Sequence, residues 1–321
     1  MKTTDHQLVI AVSSRALFDL EEEHKLFEDK GISAYRNYQL EHIDTPLNPG
    51  VAFAFIQRLL RLNELFEEEP FRVVVLSRNS PETGQRFFSS CRHYGLKISA
   101  GAFTSGQSTI PYLQAFDASL FLSANRDSVI KAIAHGQPAG LVIKGSEQNS
   151  DASHTDDGEL RIAFDFDGVI IDDEAEKRYQ QEGLEGFQRH EIDCRTTPHN
   201  PGPLSRLFEK LAHFQKLDAE RGKNDPYYKP AIRVSIVTAR GAPSEQRLIT
   251  TLNGYGMSAA ELFLLDGLPK SRILQALKPH IFFDDQLSHL QEASQSTPSV
   301  LIPFGVRNSE SEPEAGVPSK A

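Results

Sequence analysis

Four short segments of the chain end apolar runs on polar side chains whose types suit phosphate chemistry: FDFDG (Phe164 to Gly168), IVTAR (Ile236 to Arg240), the Lys270 of LPKS, and FFDDQ (Phe282 to Gln286). Asp165 and Asp167 stand two apart, so on an extended strand both carboxylates face one side before Gly168 lets the chain turn away. Carboxylates held together repel, and burial strengthens the repulsion. A hard cation such as Mg2+ relieves it, held by one or two carboxylates together with substrate phosphate oxygens. Asp284 and Asp285, at the tip of another apolar run, can complete the ligand set. A calcium-binding loop is excluded by its own pattern. Counting from Asp165, the fifth and sixth residues are Val169 and Ile170, where an oxygen ligand and a glycine are required.

These residues need a scaffold that gathers strand tips. The runs RVVVLS (Arg72 to Ser77), RVSIVT (Arg233 to Thr238) and HIFFDD (His280 to Asp285) are short and nearly continuously apolar, as strands buried on both faces of a parallel sheet must be. Longer helical patterns separate them and suit crossover helices. The fold class expected is α/β, doubly wound with a mainly parallel sheet. In such folds ligands bind just beyond the carboxyl ends of the strands, where the four segments end.

The unit is written twice. Leu8 to Gly50 lies without gaps on Leu160 to Gly202 at an offset of 152, and Val73 to Asn125 on Val234 to Gln286 at an offset of 161. The offsets differ by nine residues, which predicts an insertion within the polar stretch Leu217 to Pro230. Residues 145–159 contain Ala152 as their only hydrophobic residue, with five acidic and no Lys or Arg side chains, which is linker chemistry. The organisation expected is therefore a first half over 1–144, a linker over 145–159, a second half over 160–307 and a solvated tail over 308–321.

The repeat is also a control. Opposite Asp165 stands Ser13, opposite Asp167 Arg15, opposite Thr238 Ser77, opposite Lys270 Thr109, and opposite Asp284 and Asp285 stand Ser123 and Ala124. Every carboxylate and the lysine are missing, so the first half is expected to be catalytically silent. TPxNPG, the Tyr-Gly pairs and the Gln-Arg pairs (Gln85-Arg86, Gln246-Arg247) survive in both halves and are read as serving the fold. Phe187 falls opposite Tyr35 and is expected in the core. Asp172, Asp173 and Glu174 read as a helix start, Cys194 as a small buried hydrophobe, and lone histidines such as His190 as structural or exposed. For Arg240 two readings stand, a substrate contact or an ordinary surface salt bridge.

Composition narrows the partners. A 39% hydrophobic content over 321 residues supports about two domain cores. With 34 basic and 44 acidic residues the formal charge is −10, a poor balance for neutralising a row of phosphates, so nucleic acid polymers and anionic membrane surfaces are disfavoured. Two widely spaced cysteines, Cys91 and Cys194, offer neither a disulfide framework nor a zinc knuckle. The first apolar run is far shorter than a signal-peptide core, and no stretch reaches the ~18 apolar residues of a membrane span. A cytoplasmic location is expected.

Taken in order, the four segments resemble the haloacid-dehalogenase-like phosphohydrolases over most of Arg161 to Val306. The resemblance implies two tandem halves of that fold, the second with a small helical cap insertion over about Asp172 to Pro230. It implies Asp165 as the nucleophile forming an aspartyl-phosphate and Asp167 as the general acid and base. It further implies Thr238 and Lys270 as phosphate-holding residues, and Asp165, Asp167, Asp284 and Asp285 around Mg2+. Charge arithmetic agrees with those roles. A carboxylate about 4 Å from a phosphate meets roughly 1 kcal/mol of repulsion per charge pair in water and about 4 at an effective dielectric of 20, which a cation and the Lys270 ammonium reverse.

Ser13 to Gly31, the NPG turns, Ser108 to Phe116 and Pro279 to Gln286 narrow the resemblance to the cytosolic class I 5'-nucleotidase family across nearly the whole chain. That implies Mg2+-dependent hydrolysis of nucleoside 5'-monophosphates, AMP prominently. Members of that family commonly carry FDGD where this chain has FDFD, which keeps both aspartates. An effector nucleotide in the first half, lined by Ser13, Arg15 and Thr109, is a further expectation beside a purely structural role. The alternatives are a sugar phosphatase of the same mechanism and a noncatalytic nucleotide sensor.

Overall fold

The structure is a computed structural model, and it describes residues 7–145, 157–256 and 261–309, save the side chains of Arg307 and Ser309. Most of the expected linker, residues 146–156, and the tail from residue 310 lie outside the described residues.

Twelve described strands form two sheets. In chain order they are β1 (Leu8–Val12), β2 (Phe18–Asp19), β3 (Asn48–Pro49), β4 (Phe71–Ser77), β5 (Ala100–Phe103), β6 (Leu120–Ser123), β7 (Ala139–Ile143), β8 (Leu160–Phe164), β9 (Ile232–Thr238), β10 (Glu261–Leu264), β11 (Ile281–Asp284) and β12 (Ser299–Leu301). β2 and β3 make a small antiparallel ribbon; the other ten make one sheet in the order β10-β9-β8-β11-β12-β7-β6-β1-β4-β5. Within each set of five the pairing is parallel, and the strand order is the same: β5-β4-β1-β6-β7 matches β10-β9-β8-β11-β12. The sets meet edge to edge through β7 and β12, antiparallel, with Val300 opposite Val142. This pairing closes two sheet edges that would otherwise present unpaired amides and carbonyls.

Strand alternation explains the layering. Leu8, Ile10 and Val12 point to one face, where they join Leu160, Ile162 and Phe164 in a core that runs through both halves. Val9 and Ala11 point to the other face, where the two halves have separate clusters, the second built on Ala163, Val237 and Phe282. Helices cover both faces, which is why the central strands are apolar throughout.

The repeat is legible in the backbone. Helices Glu21–Glu41 and Glu174–Asp193 are each broken at the aligned glycines Gly31 and Gly183, with φ of 77° and 68° and ψ of −178° and −170°. That region is open essentially to glycine alone. In each NPG turn the glycine amide donates to a chain-reversing carbonyl, Gly50 to Leu17 at 2.8 Å and Gly202 to Ile170 at 2.9 Å. Arg86 and Arg247 are buried ties of the same design. Arg86 donates to Glu23, Gln39 and the Thr45 carbonyl, and Arg247 to Glu174, Glu191 and the Thr197 carbonyl. Of the segment read as a cap, both helices have counterparts in the first half. The part peculiar to the second half is an extension: helix Ser205–Arg221 runs 17 residues where Phe53–Arg61 runs 9.

Candidate active site

Three strand tips and one helix start converge in the second half. Asp165 follows β8, and its amide donates to the Phe283 carbonyl of β11 at 2.7 Å, which brings the tips of β8 and β11 side by side. Asp284 ends β11 and is fully buried. Lys270 opens the helix Lys270–Leu277 directly after Pro269, and its Nζ lies 2.7 Å from Asp165 Oδ2 and 2.7 Å from Asp284 Oδ2. Lys270 therefore does not decorate a helix surface; it is 4% exposed and shared between two carboxylates.

One ammonium cannot compensate both groups equally. Burial pushes the Asp165 carboxyl up to about 6; the Lys270 charge opposes this, and the neighbouring Asp284 charge adds to it. Asp284 is buried too, but Lys270 and His289 outweigh that, and its carboxyl falls below the ordinary range. The Gln286 amide donates to its Oδ1 at 2.8 Å, and His289 Nδ1 stands 3.2 Å from Oδ2. Asp285 is raised well above the ordinary range by burial and by the charges of Asp165 and Asp284. Its Oδ1 is buried with no hydrogen-bond partner. Gly168 packs against it, with φ of 68° and room for no side chain: an added Cβ would stand 2.6 Å from Asp285 Oδ2.

Asp165, Asp284 and His289 offer ligand atoms that all lie within 4.8 Å of one another. An orphaned buried carboxylate oxygen beside two further carboxylates is a surplus of negative charge that a hard divalent cation suits. His289 was not singled out in the sequence. Its signal was its position five residues beyond Asp284, on the first turn and a half of the following helix.

Thr238 ends β9, is buried, and accepts the Arg240 amide on Oγ1 at 3.2 Å. Asp167, less buried, is drawn to a different partner. Both its oxygens accept from Arg240, Oδ2 from Nε and Oδ1 from Nη2, each at 2.7 Å. Arg240 is 6% exposed, so the reading of an ordinary surface salt bridge fails. The sequence alone did not reveal its partners Glu191 and His199, although the repeat carried the signal: Arg240, Glu191 and His199 stand opposite Asn79, Gln39 and Leu47. Phe187, expected in the core, is only half-buried and lies with its ring 5.3 Å from the Arg240 guanidinium. Cys194 is likewise half-buried, 3.8 Å from His190 Nδ1. The helix after Asp165 begins at Glu174, as Asp172 to Glu174 suggested.

The sequence pattern of the family described as 5'-nucleotidase matches residues 1–309. The chain belongs to the 5'-nucleotidase family. It is 36% identical over 295 residues to human "Cytosolic 5'-nucleotidase 1B", covering 90% of this chain and 47% of the relative, so it spans about half of that relative's length. Among solved structures, "S. aureus MnaA-UDP co-structure" covers 91% of this chain and 78% of its own at 9% identity, but with a TM-score of 0.21 it bears on nothing further. Among the described residues no helix is long and apolar enough to cross a membrane.

Proposed function

We propose that the second half is a divalent-metal-dependent 5'-nucleotidase that hydrolyses nucleoside 5'-monophosphates, AMP among them, through an aspartyl-phosphate on Asp165. The observation that carries the reading is the Lys270 ammonium seated 2.7 Å from both Asp165 and Asp284, which gathers residues from separate strand tips into one charged cluster. Family membership supports the substrate class. The human relative's name sets it in the cytosol, and we assign the same setting here.

Asp165, Asp284 and Asp285 would hold the cation, Mg2+ being the one that an oxygen-rich set beside a phosphate suits; Asp167, also expected around it, has both side-chain oxygens on Arg240 and is assigned to proton transfer instead. When bound, it supplies positive charge that screens the incoming phosphate from the carboxylates. An Asp165 oxygen attacks phosphorus, and the 5' oxygen leaves as the P–O bond breaks. Asp167 gives that oxygen its proton, then takes one from the water that opens the acyl phosphate, so Asp165 and phosphate are regenerated. Lys270 and the Thr238 hydroxyl hold the equatorial phosphoryl oxygens, where charge gathers in the transition state. The kinked helix Glu174–Asp193 is assigned as the cover over this chemistry, with Phe187 on the Arg240 side.

The first half is assigned a structural role in preference to effector binding, because it has no carboxylate or lysine at the positions equivalent to the site, and several side chains there are already bonded within the protein. Ser14 and Ser77 share a hydrogen bond at 3.1 Å, Ser13 Oγ accepts the Ala16 amide at 3.2 Å and the Ala124 amide at 3.4 Å, and Arg15 pairs with Glu21. The test is phosphate release from a panel of nucleoside monophosphates and a hexose phosphate, with Mg2+ and with a chelator. Release from AMP that stops with chelator is expected. Equal release in both conditions removes the metal, and a hexose phosphate outpacing every nucleotide removes the substrate class.

A further inference from the structure

Arg240 is the centre of a buried charge network that neither phosphate binding nor the shared fold accounts for. Its Nε and Nη2 grip both oxygens of Asp167, and its Nη1 donates backwards to Glu191 Oε2 at 2.6 Å. Phe166 and Phe187 flank the guanidinium, with ring centres 5.2 and 5.3 Å away. Glu191 is fully buried, accepts from Arg247 Nη1 at 2.9 Å and faces His199 Nε2 at 3.3 Å. The contacts run from the loop after β8, through the loop after β9, to the kinked helix, so three separate elements set the direction of one carboxylate.

The repeat separates what the fold requires from what this site adds. Arg247 has its counterpart in Arg86, and both tie the kinked helix down. Arg240 has none: the first half places Asn79, Gln39 and Leu47 where the second has Arg240, Glu191 and His199, and Arg15 where it has Asp167. Asn79 there merely donates to Ser14 and Tyr35. A buried guanidinium between two carboxylates is costly to desolvate, and the first half packs the same corner without one. The clamp is thus present only beside the carboxylate it grips.

We propose that Arg240 is a positioning residue, backed by Glu191, that aims the Asp167 carboxylate at the leaving oxygen of the substrate. This rests on the reading of Asp167 as the proton donor and acceptor of a phosphomonoesterase. The planar fork fixes the carboxylate plane as a lysine could not. Glu191 behind the guanidinium holds Nη1, so the fork cannot swing away from Asp167.

The experiment compares AMP with its analogue carrying sulfur in place of the bridging 5' oxygen, under single-turnover conditions with Mg2+. The nucleoside is the same, but a thiolate leaves without a proton, whereas an alkoxide needs one. General acids typically contribute 10²–10⁴-fold, so Arg240→Gln should slow the first turnover of AMP by about 100-fold and that of the thio analogue by less than about threefold. Asp167→Asn should do the same, and the double variant should be no slower than Asp167→Asn alone. Arg240→Lys should recover only part of the loss. Equal slowing of both substrates in a variant that melts like the parent, or no slowing of either, overturns the proposal. Should Arg240→Gln not fold, Glu191→Gln, which loosens the clamp from behind, carries the same comparison, and an unchanged ratio of the two rates overturns it. A parent protein inert toward both substrates would instead overturn the nucleotidase reading itself.

Discussion

Replacing Lys270 by methionine keeps the side chain's length and removes the one ammonium that two buried carboxylates share. Nζ lies 2.7 Å from each of Asp165 and Asp284. At an effective dielectric of 20, a charge pair about 3 Å apart attracts by roughly 5 kcal/mol before desolvation is counted, and removing one partner of a buried pair costs about 3–5 kcal/mol net. Against a total stability of about 5–15 kcal/mol this is a large loss. It should depend on pH in a definite direction. Burial already raises the Asp165 carboxyl from 3.8 to about 6, so between those values the folded chain binds more protons than the unfolded one. Stability therefore falls as pH rises through that window and is recovered as pH drops through it. Without Lys270 both carboxylates hold protons more tightly, so the variant should gain more from acidification than the parent does. The assay is urea unfolding in chelator at pH 7.5 and pH 5, followed by far-ultraviolet circular dichroism because the chain has no tryptophan. The expected deficit is about 3–5 kcal/mol at pH 7.5 and visibly smaller at pH 5. A deficit under about 1 kcal/mol at pH 7.5, or one that widens in acid, would refute the charge accounting.

Asp165→Asn should abolish phosphate release yet stabilise the metal-free protein at neutral pH by roughly 2–3 kcal/mol, since the raised carboxyl is charged there at a cost of about 1.4 kcal/mol per pH unit; a lower melting temperature in chelator would contradict this. Gly168→Ala forces a Cβ to within 2.6 Å of Asp285 Oδ2 at a φ of 68°, so a loss of about 1–3 kcal/mol together with most activity is expected, and parental turnover would disprove the close packing of that turn. Arg86→Met should destabilise by about 3 kcal/mol while leaving the specific activity of the folded protein unchanged, as calorimetry and phosphate release can check; a fall in activity without a fall in stability would show the first half to be more than a platform.

Much of the candidate site was legible because its signals are local. Asp165, Asp167, Thr238, Lys270 and Asp284 each follow an apolar run or open a helix, and strand periodicity alone says where such residues emerge. The internal repeat then distinguished acquired charges from shared ones, as with Arg86 and Arg247, whose burial in equivalent contacts bears out a role in the fold. What the residues could not announce was their partners. Arg240 reads equally as a substrate contact or a surface salt bridge until Asp167, 73 residues away, and Glu191, 49 away, are seen on either side of it.

Three things were decided only by tertiary packing. Lys270 sits between two carboxylates because the helix it opens docks at the tips of β8 and β11. Phe187 stands over a guanidinium because the helix kinks at Gly183. The two halves share one ten-stranded sheet because the edges β7 and β12 pair. Backbone pairing between edges is nearly blind to side-chain identity, and the sign of a buried charge's effect depends on which neighbours exclude water from it. Composition and spacing thus pointed to the proposed chemistry, while the aim of each charged group belonged to the fold.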